Sequence, residues 1–221
     1  MIGNWWVHDL WNDNQKIELI SWIFWVIASI TLHELAHGWA AIWEGDDTPR
    51  VTGHMTANPV VHMGIPSMVA FLIIGIAWGM MPVNPYRFRH GKWGSILVSF
   101  AGPVMNLVLA FLTLTTLGLM LNIDIVLTEG LSAIEIFLFT GGFLNIILFA
   151  LNMLPVPPLD GSHILANLST TVGNWYRHPQ AQIAGLLLFF ALMWSGLFGA
   201  VFSYVPLISL EYALYVANAL H

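Results

Sequence analysis

From Ile17 to Trp43 the chain is almost continuously apolar, yet His33, Glu34 and His37 stand inside that run. About 20 helical residues cross a hydrocarbon core of about 30 Å, so the run is long enough to span one. A helix brings residues four apart onto one face. Both imidazoles of His33-Glu34-Leu35-Ala36-His37 can therefore reach a single ion, with Glu34 lying beside a metal-activated water. Ionisable groups at membrane depth cost about 2.5–3.5 kcal/mol each on insertion scales, so three within little more than one turn imply a function that offsets their burial.

The composition agrees with a membrane helix. Of 221 residues, 57% are hydrophobic and 8% are charged, with mean hydropathy +0.75, where an ordinary globular domain has about a quarter charged. Such a chain is an integral, multi-pass membrane protein with the lipid bilayer as its main partner. The net charge of −6 rests on few ionisable groups and leaves no basic patch for nucleic acid. Cysteine is absent, which excludes disulfides, thiolate metal sites and cysteine nucleophiles together. Any metal must be held by His, Asp or Glu.

The rest of the chain divides into further apolar runs. Residues 1–16 are polar and rich in Trp, an interfacial lead-in. Residues 51–59 alternate and carry β-branched side chains, which predicts a short β hairpin, and the stretch Val51 to Thr56 is a candidate edge for an added substrate strand. Residues 64–81 form a second apolar run, broken by Pro66, Gly75 and Gly79. It sits at the lower length limit for a span, so it either crosses or dips in and returns, and re-entry is preferred. Re-entry would put Arg50, Arg87, Arg89, Lys92 and Arg177 on one side and Lys16 on the other. A full crossing would exchange only Arg50 and Lys16, so the positive-inside bias does not separate the two readings. Either way the basic loop from Arg87 to Lys92 is expected to be cytoplasmic.

Runs over 93–121 and 131–154 are long enough to cross, joined by a polar link at 122–130. The second of these passes into Pro155-Val156-Pro157-Pro158-Leu159-Asp160-Gly161. Three prolines in four residues cannot continue a helix, so the backbone is expected to open there and resume after Gly161. Open backbone inside a membrane is tolerated only where it is buried in protein or faces a water-filled cavity. Residues 167–180 read as a polar loop, and 181–219 as one long or two short helices divided near Pro206. The expected fold is an all-α polytopic bundle of about five or six transmembrane or re-entrant helices. It forms a single membrane-embedded domain over 1–221, with the catalytic core at 17–168 and C-terminal helices at 181–219.

Two imidazoles are too few for a catalytic zinc, which takes three protein ligands and leaves the fourth position to water. Asp160 is the best candidate for the third, because a carboxylate in the one proline-opened stretch between apolar runs calls for a partner. The alternative is an ordinary Asp-Gly turn at the membrane surface. Asn106 and Asn145 lie inside apolar runs, where an amide hydrogen bond between helices accounts for them. His54 and His62 are either accessory groups near the metal or loop histidines at the interface.

The stretch His33 to His37, the stretch Asn152 to Gly161 and Ala101-Gly102-Pro103-Val104-Met105-Asn106 together resemble the site-2 protease family of intramembrane zinc metalloproteases. All three motifs occur in that family's order. The resemblance implies one zinc held by His33, His37 and Asp160, with Glu34 as general base and Asn152 near the scissile carbonyl. It also implies regulated cleavage of single-span transmembrane proteins, in a prokaryotic cell membrane. Gly53 to His62 and Pro82-Val83-Asn84-Pro85 resemble a compact branch without a PDZ or nucleotide-binding regulatory domain. That branch commonly has Asp-Pro one residue beyond the histidine matching His62, where this chain has Met63-Gly64-Ile65-Pro66. An ion transporter, or a binding protein that has lost catalysis, is the competing class, since intramembrane ionisable groups also mark ion paths.

Overall fold

The apolar runs become helices, and the computed structural model describes residues 16–121 and 130–219. In chain order these are α1 (Lys16–Trp43), α2 (Thr48–Val51), α3 (Pro59–Ile74), α4 (Lys92–Met120), α5 (Ala133–Asn152), α6 (Asp160–Leu168), α7 (Thr170–Tyr176), α8 (Pro179–Trp194), α9 (Leu197–Phe202) and α10 (Val205–Asn218). A 3₁₀ turn at Pro85–Arg87 lies between α3 and α4. Helices α1, α4 and α5 and the stretch Phe198–Asn218 are long and apolar enough to cross a membrane. The expected lead-in at 1–16 and link at 122–130 lie, apart from Lys16 and Gly130, outside the described residues.

Helix α4 is the hub, packing on α1, α5, α6 and α10. One apolar cluster joins α1 to α3 and α5 through Trp25, Val26, Ile30, Met63, Phe71 and Leu144, and the Trp25 indole N–H donates to Phe137 O at 2.8 Å. A second cluster joins α4 to α10 through Leu114, Leu117, Ala213 and Ala217. Glu135, the one charge in the α5 run, is explained by capping, because its Oε2 accepts from Ser132 N at 2.6 Å.

The second apolar run turns back on itself. Helix α3 is kinked at Gly64 (φ 67°) and ends at Gly75 (φ 75°), both left-handed positions that favour glycine. The chain then returns in extended form along the same helix. Ser67 Oγ donates to Trp78 O at 2.7 Å and accepts from Trp78 N at 2.8 Å, and Met80 N donates to His62 O at 2.9 Å. A segment that comes back level with its own start does not cross, so the run is re-entrant. Helices α1 and α5 run in the same direction, with Trp25 meeting Phe137 in their first halves and the later Glu34 and Asn152 lining one cavity.

Two expectations change. No strand occurs among the described residues, and the stretch expected as a hairpin at 51–59 is the end of α2 followed by turns. Its alternation is too short to outweigh local capping, with Pro49 in the first turn of α2 and Asn58 Oδ1 accepting from Val60 N at 3.0 Å to start α3. The expected polar loop at 167–180 is largely helical as the end of α6 and α7. The C-terminal run is divided just before Pro206, as expected, with Pro206 in the first turn of α10, where its missing N–H costs nothing, and a further break falls at Gly196 (φ 76°).

The loop after α1 is fastened by two buried acids. Asp46 Oδ1 accepts from the Thr48 N–H at 3.0 Å and from its hydroxyl, and Oδ2 accepts from Asn84 N at 2.6 Å. Glu44 accepts from the His90 backbone N–H at 3.1 Å and its ring Nδ1–H at 3.0 Å, while Arg89 N donates to Glu44 O at 2.9 Å. Burial alone would raise both carboxyls. The bonds from His90 hold Glu44 below its usual value, and those from Thr48 and Asn84 do the same for Asp46.

Candidate metal centre

Helical spacing places His33 and His37 on one face of α1, turned toward α4. The facing stripe of α4 is Val98, Gly102 and Asn106, themselves four residues apart. His37 Nδ1 donates to Val98 O at 2.6 Å, and His33 Nδ1 lies 2.7 Å from Asn106 Oδ1. Between these contacts sits Gly102. A Cβ there would collide with the Nε2 atoms of both histidines, so the missing side chain is what leaves room beside the pair.

Asp160 arrives from the far end of α5. The proline stretch ends the helix at Asn152, and α6 begins at Asp160 itself, two residues earlier than expected. Gly161 packs directly on the backbone of Met153 and Leu154, so α6 folds tightly back and directs Asp160 toward α1. The three donor groups converge. Asp160 Oδ2 is 3.0 Å from His33 Nε2, Asp160 Oδ1 is 3.4 Å from His37 Nε2, and the two Nε2 atoms are 3.0 Å apart. Among the described residues this is the one cluster of His, Asp or Glu with such spacing.

The donor set suits zinc. Tetrahedral coordination at about 2.0–2.1 Å puts ligand atoms about 3.3 Å apart, close to all three separations, and two imidazoles with one carboxylate leave a fourth position open. His33 and His37 are 7% and 8% exposed. Glu34 is equally buried and faces the same cavity, its carboxylate lying against Gly79 on the returning segment. A Cβ at Gly79 would stand 2.5 Å from Glu34 Oε1.

The cavity has a volume of about 1360 Å³. Its lining includes His33, Glu34, His37 and Asp160 and extends past Pro158 to the exposed Arg177. It therefore opens to the surface beside the proline stretch, where a polar channel is expected from the sequence. Asn152 lines it too, with its amide nitrogen donating to Leu148 O at 3.0 Å.

Other histidines stand outside the donor cluster. His62 is 2% exposed, its Nε2 donates to Thr56 O at 2.7 Å, and its buried Nδ1 meets no hydrogen-bond partner although the residue lines the cavity. It is thus neither a ligand nor a surface histidine. His54 bonds within its own loop, to Thr52.

Comparison with known proteins accords with this geometry. A family model described as Peptidase family M50 matches residues 123–196, which include Asp160. "Putative zinc metalloprotease YwhC" of Bacillus subtilis (strain 168) is 37% identical over 169 residues, 76% of this chain and 77% of that protein. The chain belongs to peptidase family M50, the site-2 protease family. "Putative zinc metalloprotease Rip2" of Mycobacterium tuberculosis (strain ATCC 35801 / TMC 107 / Erdman) is 29% identical to this M50 member over 205 residues, 87% of the chain and 76% of that relative. No solved structure gives a significant match. The chain is a metalloprotease of compact form, and its relatives are named for zinc.

Sequence reasoning missed the parts played by Gly102, Gly79 and Asn106. For Gly102 and Asn106 the signal was present as the i, i+4, i+8 spacing of the α4 stripe. Gly79 reaches Glu34 only through the re-entrant turn, which no local pattern reveals.

Proposed function

We propose that this chain hydrolyses peptide bonds in or near the transmembrane helices of single-span membrane proteins, as a regulated intramembrane endopeptidase of a prokaryotic cell membrane. The observation that carries the reading is the convergence of His33, His37 and Asp160 with Glu34 in one cavity at the ends of apolar helices. One zinc, held by those three residues, would supply Lewis-acid activation of water and of the scissile carbonyl. Glu34 takes the proton of the attacking water on its carboxylate and returns it to the leaving nitrogen. Asn152 keeps one amide N–H beyond its bond to Leu148, and this N–H is offered to the substrate backbone.

A helical substrate hides its peptide bonds in internal hydrogen bonds, so it must unwind before Glu34 can act. Substrates with Gly, Pro or Asn near the cleaved bond are favoured, because these residues weaken a helix. The stretch Val51 to Thr56 forms no strand and offers no edge for such a segment.

The test is cleavage of a reconstituted single-span helix by purified wild type and Glu34→Gln. General acid–base catalysis contributes about 10²–10⁴-fold, and a loss of that size with zinc retained is expected. Undiminished cleavage by Glu34→Gln would overturn the assignment.

A further inference from the structure

The two histidines are oriented by different means. His37 Nδ1 faces a backbone carbonyl, Val98 O, which can only accept, so His37 carries its proton on Nδ1 and turns a bare Nε2 to the donor cluster. His33 Nδ1 faces Asn106 Oδ1 at 2.7 Å, and an amide can be turned either way. If Asn106 were reversed it would donate to Nδ1, and the ring would direct an N–H at the metal position.

The buried contacts beyond Asn106 remove that freedom. Asn145 donates from Nδ2 to Gly141 O at 2.8 Å, again a carbonyl that only accepts. Asn145 Oδ1 therefore faces Asn106, and the atom meeting it at 2.9 Å must be Asn106 Nδ2. Asn106 Oδ1 is then the atom left for His33, which must donate from Nδ1. Both asparagines are 0% exposed, so no solvent competes with the chain. The geometry points to Asn106 and Asn145 as positioning residues: a directional relay from Gly141 O through Asn145 and Asn106 fixes the tautomer of His33 and presents its Nε2 as a metal donor. This extends the helix-to-helix amide bond that their apolar setting suggests, and it rests on His33 being a ligand.

The purified chain in detergent micelles tests the relay by zinc affinity, measured by chelator competition, with the thermal midpoint of the zinc-free protein as a folding control. Groups that hydrogen-bond a metal-bound histidine are worth about 10–100-fold in metal affinity. Asn106→Leu is expected to lose that much, whereas Asn106→Asp, which can accept from His33 but cannot flip, is expected to stay within a few-fold of wild type. Asn145→Leu frees the Asn106 amide to turn and is expected to weaken zinc binding in the wild-type background but not beside Asn106→Asp. An apolar-packing or helix-joining role gives the opposite order, with Asn106→Leu tolerated and Asn106→Asp the more damaging, and that result would overturn the relay. Failure of wild type to bind zinc would overturn the metal site itself, a failure distinguishable from zinc binding that is indifferent to both asparagines.

Discussion

Glu44 and Asp46 are as buried as His33, Glu34 and His37, at 5% and 0% exposure against 7%, 8% and 8%, yet the two groups are completed differently. Every carboxylate oxygen of the outer pair meets N–H or O–H donors from Thr48, Asn84 or His90. In the inner group the lone-pair atoms of His33, His37 and Asp160 face one another, and the Glu34 carboxylate rests against Gly79. Burying polar groups is costly unless their partners are supplied. The outer cluster finds its partners within the chain and fastens the loop between α1 and α4. The inner cluster points its unspent donors at a common centre, which is the arrangement a cation and a reacting peptide require.

The contrast can be attacked from both sides. Gly79→Ala places a methyl group against the Glu34 carboxylate, and displacing a catalytic group by about 1 Å can cost about 100-fold in rate. Cleavage is expected to fall by that order while zinc content stays at the wild-type level, and unchanged cleavage would show that the returning segment does not set Glu34. Asp46→Asn turns an amide donor toward either Thr48 or Asn84, leaving a buried donor facing a donor at a cost of about 1–3 kcal/mol. The thermal midpoint is expected to drop, with cleavage per folded molecule within about twofold of wild type, and the contrast breaks if activity falls with stability intact.

The smallest effect is one of pH. Glu44 in the folded chain lies below its usual value of 4.5, so on acidification the unfolded chain takes up the proton first. Its stabilising share is complete above about pH 4.5 and is lost as pH falls through the lower folded value. Denaturant unfolding between pH 6 and pH 3 is expected to show a shallower loss for Glu44→Gln than for wild type, and identical slopes would remove Glu44 from the fastening.

The spanning helices were legible because runs of 20 or more apolar residues admit few alternatives. The paired histidines were legible through helical spacing, and Asp160 through prolines that had to open a helix near membrane depth. The hairpin at 51–59 failed because alternation over so few residues competes poorly with Pro49 and Asn58, which start helices on either side. Charge counting could not separate re-entry from crossing, since only Arg50 and Lys16 differ between them. The pairing of Trp78 with Ser67 and of Met80 with His62 separates the two, and these contacts depend on the folded turn at Gly75. Asn106 and Asn145 were readable as partners of each other. The link onward to His33 required knowing which face of α4 meets α1.

The most direct test of the inner cluster is zinc per chain, by equilibrium dialysis of the purified protein in detergent micelles. One zinc is expected for wild type, for Glu34→Gln and for folded Asp46→Asn, with bound zinc falling well below one for His37→Ala and Asp160→Ala. One zinc retained by the double variant His33→Ala/Asp160→Ala would contradict the site.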